Sequence, residues 1–174
     1  TAGPAVPLSF MAVMDPEDFT SVTDLVVSAE ACPKELMRRW VATGVRFWNE
    51  YGPTEITVAS SACRLFPDAQ RVTIGKPHPN YLCYVLDDRL RRAPVGVVGT
   101  HWVGGVGVAR GYRNLPEKTA KVFRANPFDA EPEAQGGRMY NTGDLCRWLP
   151  NGELEILGRA DRQLKLRGFR VELG

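Results

Sequence analysis

The chain has 174 residues, of which 44% are hydrophobic and 24% charged, and its formal net charge is +2. That length supports one domain with a real core or two small lobes, and the composition is that of an ordinary globular protein. So small a charge argues against nucleic acid or an anionic membrane as partner, and no apolar run approaches the roughly 20 residues that span a bilayer.

The start, Thr1-Ala2-Gly3-Pro4, lacks a signal-peptide pattern and an initiator Met. The expectation is a cytoplasmic protein, cut from a longer chain. Apolar patches follow at Val6 to Met14 and at Leu25-Val26-Val27, the second short and β-branched like a buried strand. Pro33 suits a helix start, Lys34 to Ala42 reads as helix, and Gly44 ends it. Val45 to Trp48 reads as the next strand. Strand, helix, strand predicts a parallel crossover, so the first third is α/β. Asn49-Glu50-Tyr51-Gly52-Pro53-Thr54-Glu55 then predicts a sharp polar loop, with Ile56 to Ala59 extended beyond it.

After about residue 70 the texture changes. Val72 to Ile74, Leu82 to Leu86, Val95 to Val98, Trp102-Val103 and Val106 to Ala109 read as short strands separated by turn residues. This spacing predicts antiparallel hairpins closing into a small barrel or folded sheet. Glu117 to Phe123 reads as a helix, and 129–137 as a surface loop. Leu145 to Leu149 and Glu153 to Leu157 form a hairpin around Pro150-Asn151-Gly152. The stretch 158–163 is charged and linker-like, and short alternating segments follow it. Cys32, Cys63, Cys83 and Cys146 lack ligand spacing, so reduced, partly buried thiols are expected and a zinc site is not.

Four stretches carry chemistry together: Asn49 to Glu55, Trp102 to Tyr112, Tyr140-Asn141-Thr142-Gly143-Asp144-Leu145, and Gly158 to Leu173. In this order and spacing they resemble the adenylation domains of non-ribosomal peptide synthetases, in the adenylate-forming superfamily with acyl-CoA synthetases and luciferases. The resemblance runs from about Leu25 to the C-terminus. It implies ATP-dependent activation of an amino acid as its adenylate, with Mg²⁺, and transfer of the acyl group to the phosphopantetheine thiol of a carrier protein.

The resemblance also implies residue roles. Tyr51 would pack on adenine, where stacking is worth roughly 1–3 kcal/mol. Asn49 would bond the base or brace the loop, Thr54 would contact the α-phosphate, and Glu55 would hold Mg²⁺. Asp144 would take the ribose hydroxyls with its two acceptor oxygens. Ile156 would pack on the ribose, Arg159 would lie near it, and Asp161 would be the hinge to a C-terminal subdomain. Taken singly, each has a plainer reading: a buried turn tyrosine, a Thr-Gly-Asp turn, core packing, a surface charge. The glycines of 104–111 lack the spacing of a nucleotide phosphate loop and read as bend and packing devices. Relatives carry Gly-Glu-Leu where this chain has Gly99-Thr100-His101, a departure expected to lie outside the active centre.

Glu50, Val58, Ala59, Val26 and Ser28 would line the acyl pocket. A carboxylate in a pocket is costly unless paired, so Glu50 points to a polar substrate with a basic side chain; the plain alternative has it facing solvent or a neighbouring arginine. The family's phosphate loop, the aspartate that holds the α-amine and the catalytic lysine are not in these residues. The expected organisation is 1–70 as the α/β portion, 71–160 as a barrel-like subdomain, and 161–174 as hinge and start of the next subdomain, inactive alone. The helix at Lys34 to Trp40 lies where relatives dock MbtH-like proteins; the plain alternative is an amphipathic helix packing on the core. The alternatives are an aryl- or acyl-CoA synthetase of the same superfamily, and a non-catalytic nucleotide-binding module.

Overall fold

The structure is a computed structural model that describes residues 2–129, 137–161, 163–166 and 169–172. Strands β2 (Asp24–Val27) and β3 (Arg46–Tyr51) run parallel, connected through helix α2 (Lys34–Val41). Parallel neighbours cannot be joined by a tight turn, so the crossover needs the helix. Pro33 caps α2 and Gly44, at φ +87°, follows its end. Strand β1 (Ala2–Ala5) lies parallel to β2, with helix α1 (Leu8–Val13) and a 3-10 turn (Pro16–Phe19) between them. Strands β4 (Ser61–Leu65) and β5 (Lys76–Pro77) complete the sheet in antiparallel sense, in the order β1-β2-β3-β4-β5.

Under this sheet Met11, Val27, Met37 and Phe47 are fully buried. Each such side chain contributes about 1.5–3 kcal/mol by leaving water. The indole of Trp40 donates to the Met11 carbonyl at 3.2 Å, which fastens α2 to α1.

The second sheet is antiparallel. It comprises β6 (Tyr81–Leu86), β7 (Gly99–Gly105), β8 (Phe123–Ala125), β9 (Arg138–Trp148) and β10 (Leu154–Arg159), in the order β10-β9-β7-β6 with β8 also on β9. Helix α3 (Pro116–Val122) precedes β8. Of the small barrel or folded sheet predicted from strand spacing, the closed barrel is not found: among the described residues the sheet is open, with β10 and β6 not paired to each other.

Three predicted strands are not strands, each for a local reason. Gly96, at φ +83°, turns the chain within 95–98 and donates to the Trp148 carbonyl at 2.9 Å. Gly105, at φ +115°, ends β7 and sends 106–109 across the Thr54–Ile56 turn, where Ala109 N–H reaches the Glu55 carbonyl at 2.8 Å. Residues 72–74 instead bridge the two sheets. Ile74 N–H donates to the Leu154 carbonyl and Leu154 N–H to the Gly75 carbonyl, both at 2.9 Å. Thr73 donates to Glu153 at 2.8 Å, and Arg71 pairs with Glu155 at 3.0 Å. Tyr51, Ile56 and Ile74 from one side meet Cys83, Val85, Val103, Phe123, Tyr140, Cys146 and Leu154 from the other in one shared core.

Beyond residue 70, Lys76–Pro77 still pairs with the first sheet. Strands β11 (Gln163–Leu166) and β12 (Phe169–Glu172) form a separate antiparallel pair. Most of the predicted 129–137 loop lies outside the described residues.

Candidate functional site

A cavity of about 870 Å³ opens where the end of β3 meets the β9–β10 hairpin. Its walls come from Ala29 to Cys32 after β2, Asn49 to Gly52 on and after β3, Val72 and Ile74 of the bridge, Asp144 on β9, and 156–159 with Asp161 after the hairpin. Asn49, Glu50, Tyr51, Asp144, Ile156, Arg159 and Asp161, all singled out in the sequence, are thus brought to one space.

The stretch around Tyr51 is not wholly a loop. Asn49 to Tyr51 are the last residues of β3, and only Gly52-Pro53 leave the sheet. Strand alternation buries Phe47, Asn49 and Tyr51 on one face. Asn49 Nδ2 donates to the Thr73 carbonyl at 2.6 Å, so the bridge sets the orientation of this amide. The expected extended run at 56–59 is a tight reversal instead, with Thr57 at φ +60° and Val58 at φ +71°. β-branched residues rarely adopt that region. Three contacts hold the turn: Tyr81 hydroxyl to the Ile56 carbonyl at 2.8 Å, Thr57 Oγ1 to the Gly107 carbonyl at 2.9 Å, and Ser60 N–H to the Tyr51 carbonyl at 2.8 Å. A Cβ on Gly52 would stand 2.3 Å from the Val58 carbonyl oxygen, so this close approach requires glycine.

Asp144 is placed by irregularity in the sheet. Opposite β9, the register with β7 shifts between Thr100 and Trp102, and that with β10 shifts between Ile156 and Gly158. Such bulges re-aim side chains. Gly143 sits in the shift at φ +75°. Thr142 Oγ1 donates to the His101 carbonyl at 2.9 Å and accepts from Asp144 N–H at 3.1 Å. The Asp144 carboxylate takes the Tyr51 hydroxyl on Oδ2 and Arg159 Nη1 on Oδ1, the latter at 2.8 Å. Burial, and then the Asp144 charge beside it, hold the Tyr51 phenol well above its ordinary range, so it stays a donor. Arg159 is raised above its usual value, first by its hydrogen bonds to Asp161.

Glu50 lines the cavity, half-buried, and has no hydrogen-bond or ion-pair partner among the described residues. Cys32 also lines it, and burial pushes that thiol up to about 12. The other named residues stand outside the wall. Thr54 is exposed at the start of a 3-10 turn, and Glu55 is buried in that turn with Oε1 accepting from the Tyr112 hydroxyl at 2.5 Å. Val58 is 77% exposed, and Ala59, Val26 and Ser28 are half-buried.

Two participants carried no signal in the sequence. Thr73 read as a strand residue, and nothing local marks it as the anchor of Asn49. His101, expected outside the centre, does not line the cavity but is fully buried behind it with its ring 5.2 Å from that of Tyr51, and among the described residues neither ring nitrogen has a partner. Burial pushes it down to about 3. The glycine-rich stretch does act as a packing device: a Cβ on Gly107 would lie 2.0 Å from the Tyr81 hydroxyl.

The profile of the AMP-binding enzyme family matches residues 1–113. Over 165 residues the chain is 47% identical to adenylate-forming reductase 03009 of Coprinopsis cinerea, covering 95% of this chain and 16% of that protein. It is 44% identical over 169 residues to bacitracin synthase 3 of Bacillus licheniformis, covering 97% of this chain and 2% of that one. A solved NRPS protein containing adenylation and PCP domains, bound to a vinylsulfonamide inhibitor, superposes with a TM-score of 0.86 at 26% identity, over 95% of this chain and 30% of that structure. The chain therefore spans a small part of the proteins it matches.

Proposed function

Because the chain belongs to the AMP-binding enzyme family, we propose that the cavity between the two sheets takes the nucleoside of ATP and that the whole protein activates an amino acid as its adenylate. The observation that carries this reading is the convergence of Asn49, Tyr51, Asp144, Ile156 and Arg159 on one space. Each supplies what a nucleoside needs. Tyr51 offers a ring. Asn49, with Nδ2 held by Thr73, keeps its carbonyl oxygen for a donor on the base. Asp144 has about four lone-pair sites, of which Tyr51 and Arg159 take two, so two remain for a vicinal diol.

In the proposed reaction a carboxylate oxygen of the amino acid attacks the α-phosphorus. The bond from that phosphorus to the bridging oxygen breaks, and pyrophosphate leaves. A carrier-protein thiol then attacks the acyl carbon, loses its proton, and AMP departs. Thr54 would meet the α-phosphate from its exposed turn. Mg²⁺, when bound, neutralises phosphate charge. Glu55 offers a hard oxygen donor for it, and such an ion commonly needs one or two carboxylates plus the phosphates themselves. In this reading 1–70 and 71–160 are two parts of one lobe, and Asp161 begins the hinge. An MbtH-like protein would meet α2 on its outward charged face, at Glu35, Arg38 and Arg39.

Glu50 supports an amino acid with a basic side chain. Among the described residues it is an unpaired carboxylate on the wall, and Arg159, the cation described there, is already engaged by Asp144 and Asp161. The bacitracin synthase relative and the adenylation–PCP structure favour amino-acid activation over aryl or acyl activation. ATP–pyrophosphate exchange by the full-length protein across the amino acids tests this. Exchange with arginine, ornithine or lysine is the expected result. A preference for leucine or phenylalanine overturns the substrate assignment, and exchange with aryl or fatty acids alone overturns the amino-acid reading.

A further inference from the structure

Arg159 is shared between two carboxylates. Its Nε and Nη2 donate to the two oxygens of Asp161, each at 2.7 Å, while its Nη1 donates to Asp144 Oδ1 at 2.8 Å. One planar guanidinium thereby joins a carboxylate inside the cavity to one at its rim. The bidentate fork fixes the plane of the guanidinium and so the direction of its third donor.

The backbone makes room for this arrangement. A Cβ on Gly143 would stand 2.6 Å from Arg159 Nη2 and 3.0 Å from Asp161 Oδ2. Ala160 N–H donates to the Gly143 carbonyl at 2.9 Å, which holds the end of β10 against the same turn. The glycine between Thr142 and Asp144 thus serves the Arg159–Asp161 pair as well as the turn.

We propose that Asp161 is a positioning residue of the nucleotide site, acting through Arg159 to fix the Asp144 carboxylate for the ligand's diol. This rests on the reading of Asp144 as the ribose acceptor, and it goes beyond a hinge role. A hinge acts through its backbone torsions and governs movement between half-reactions. The fork acts on the first half-reaction, before any movement. Asp161 is well placed to be separated from the machinery it serves: its side chain is 52% exposed, against 10% for Asp144. Without the fork, Arg159 is free to turn toward solvent, and the buried Asp144 loses its counter-charge and one of its two fixed partners.

The test uses the full-length protein and calorimetric titration with AMP and with 2′-deoxy-AMP. Asp161→Ala is expected to weaken AMP about tenfold, the scale of one charge-assisted hydrogen bond. Arg159→Ala is expected to do about the same, and the double variant to lose little more. The preference for AMP over 2′-deoxy-AMP should shrink in all three. Asp161→Glu, which keeps the charge and both acceptors, should recover part of both effects. AMP affinity within twofold of wild type in Asp161→Ala, with only thioester formation slowed, overturns the proposal and leaves a hinge alone. No preference for AMP over 2′-deoxy-AMP in the wild type overturns the reading of Asp144 itself.

Discussion

His101 gives the sharpest stability prediction. It lies on β7, wholly buried against Tyr51, and among the described residues neither of its nitrogens has a partner. Burial pushes it from 6.5 down to about 3. The folded state therefore keeps the ring neutral, whereas the unfolded chain takes up a proton below about pH 6.5. Stability from this residue is complete above that value and is lost as pH falls toward 3. Each pH unit in the window costs about 1.4 kcal/mol, so roughly 2 kcal/mol is gone by pH 5. His101→Leu places an apolar side chain of similar size there and removes two unpartnered polar atoms, each costing about 1–3 kcal/mol. The assay is urea unfolding of the chain at pH 7.5 and 5.0, followed by tryptophan fluorescence. The variant should be more stable at both values, and the gap should widen by about 2 kcal/mol at the lower one. Parallel loss of stability by the two proteins refutes the reasoning.

Three further outcomes follow from single contacts. Gly75→Ala puts a Cβ 1.9 Å from the Ala62 carbonyl oxygen at φ +73°, so it should cost at least about 2 kcal/mol and lower the melting temperature by several degrees. Val58→Asn relieves a β-branched residue held at φ +71° and 77% exposed, and should raise stability by about 0.5–1 kcal/mol in the same assay. Tyr112→Phe removes the 2.5 Å hydroxyl contact to Glu55, and should raise the Mg²⁺ concentration needed for half-maximal ATP–pyrophosphate exchange with little change in the melting temperature.

Local patterns carried the crossover well. Leu25-Val26-Val27 and the apolar face of α2 are set by neighbours one to four residues away, and short-range spacing records that directly. The β9–β10 hairpin was legible for the same reason, because Pro150-Asn151-Gly152 specify the turn themselves. Runs rich in β-branched residues misled at 72–74, 95–98 and 106–109. A β-branched run looks alike whether it pairs in a sheet or packs against another segment, and here glycines at positive φ and the bridge to Leu154 decided the matter. The cavity was legible as a set of residues but not as a network. No local signal says that the Tyr51 hydroxyl reaches Asp144, that Thr73 turns Asn49, or that His101 lies beneath Tyr51. These contacts come from bulges in β9 and from the meeting of two sheets, which no spacing within either sheet encodes.

The central claim is that Asp144 and its neighbours form a nucleoside site, and AMP titration of the full-length protein, wild type against Asp144→Asn, tests it most directly. Asn keeps the size of the side chain but loses its charge and part of its acceptor capacity. The account predicts saturable AMP binding by the wild type and at least a tenfold loss in the variant, at an unchanged melting temperature. Equal AMP affinity in the two proteins, or no binding by the wild type, contradicts it.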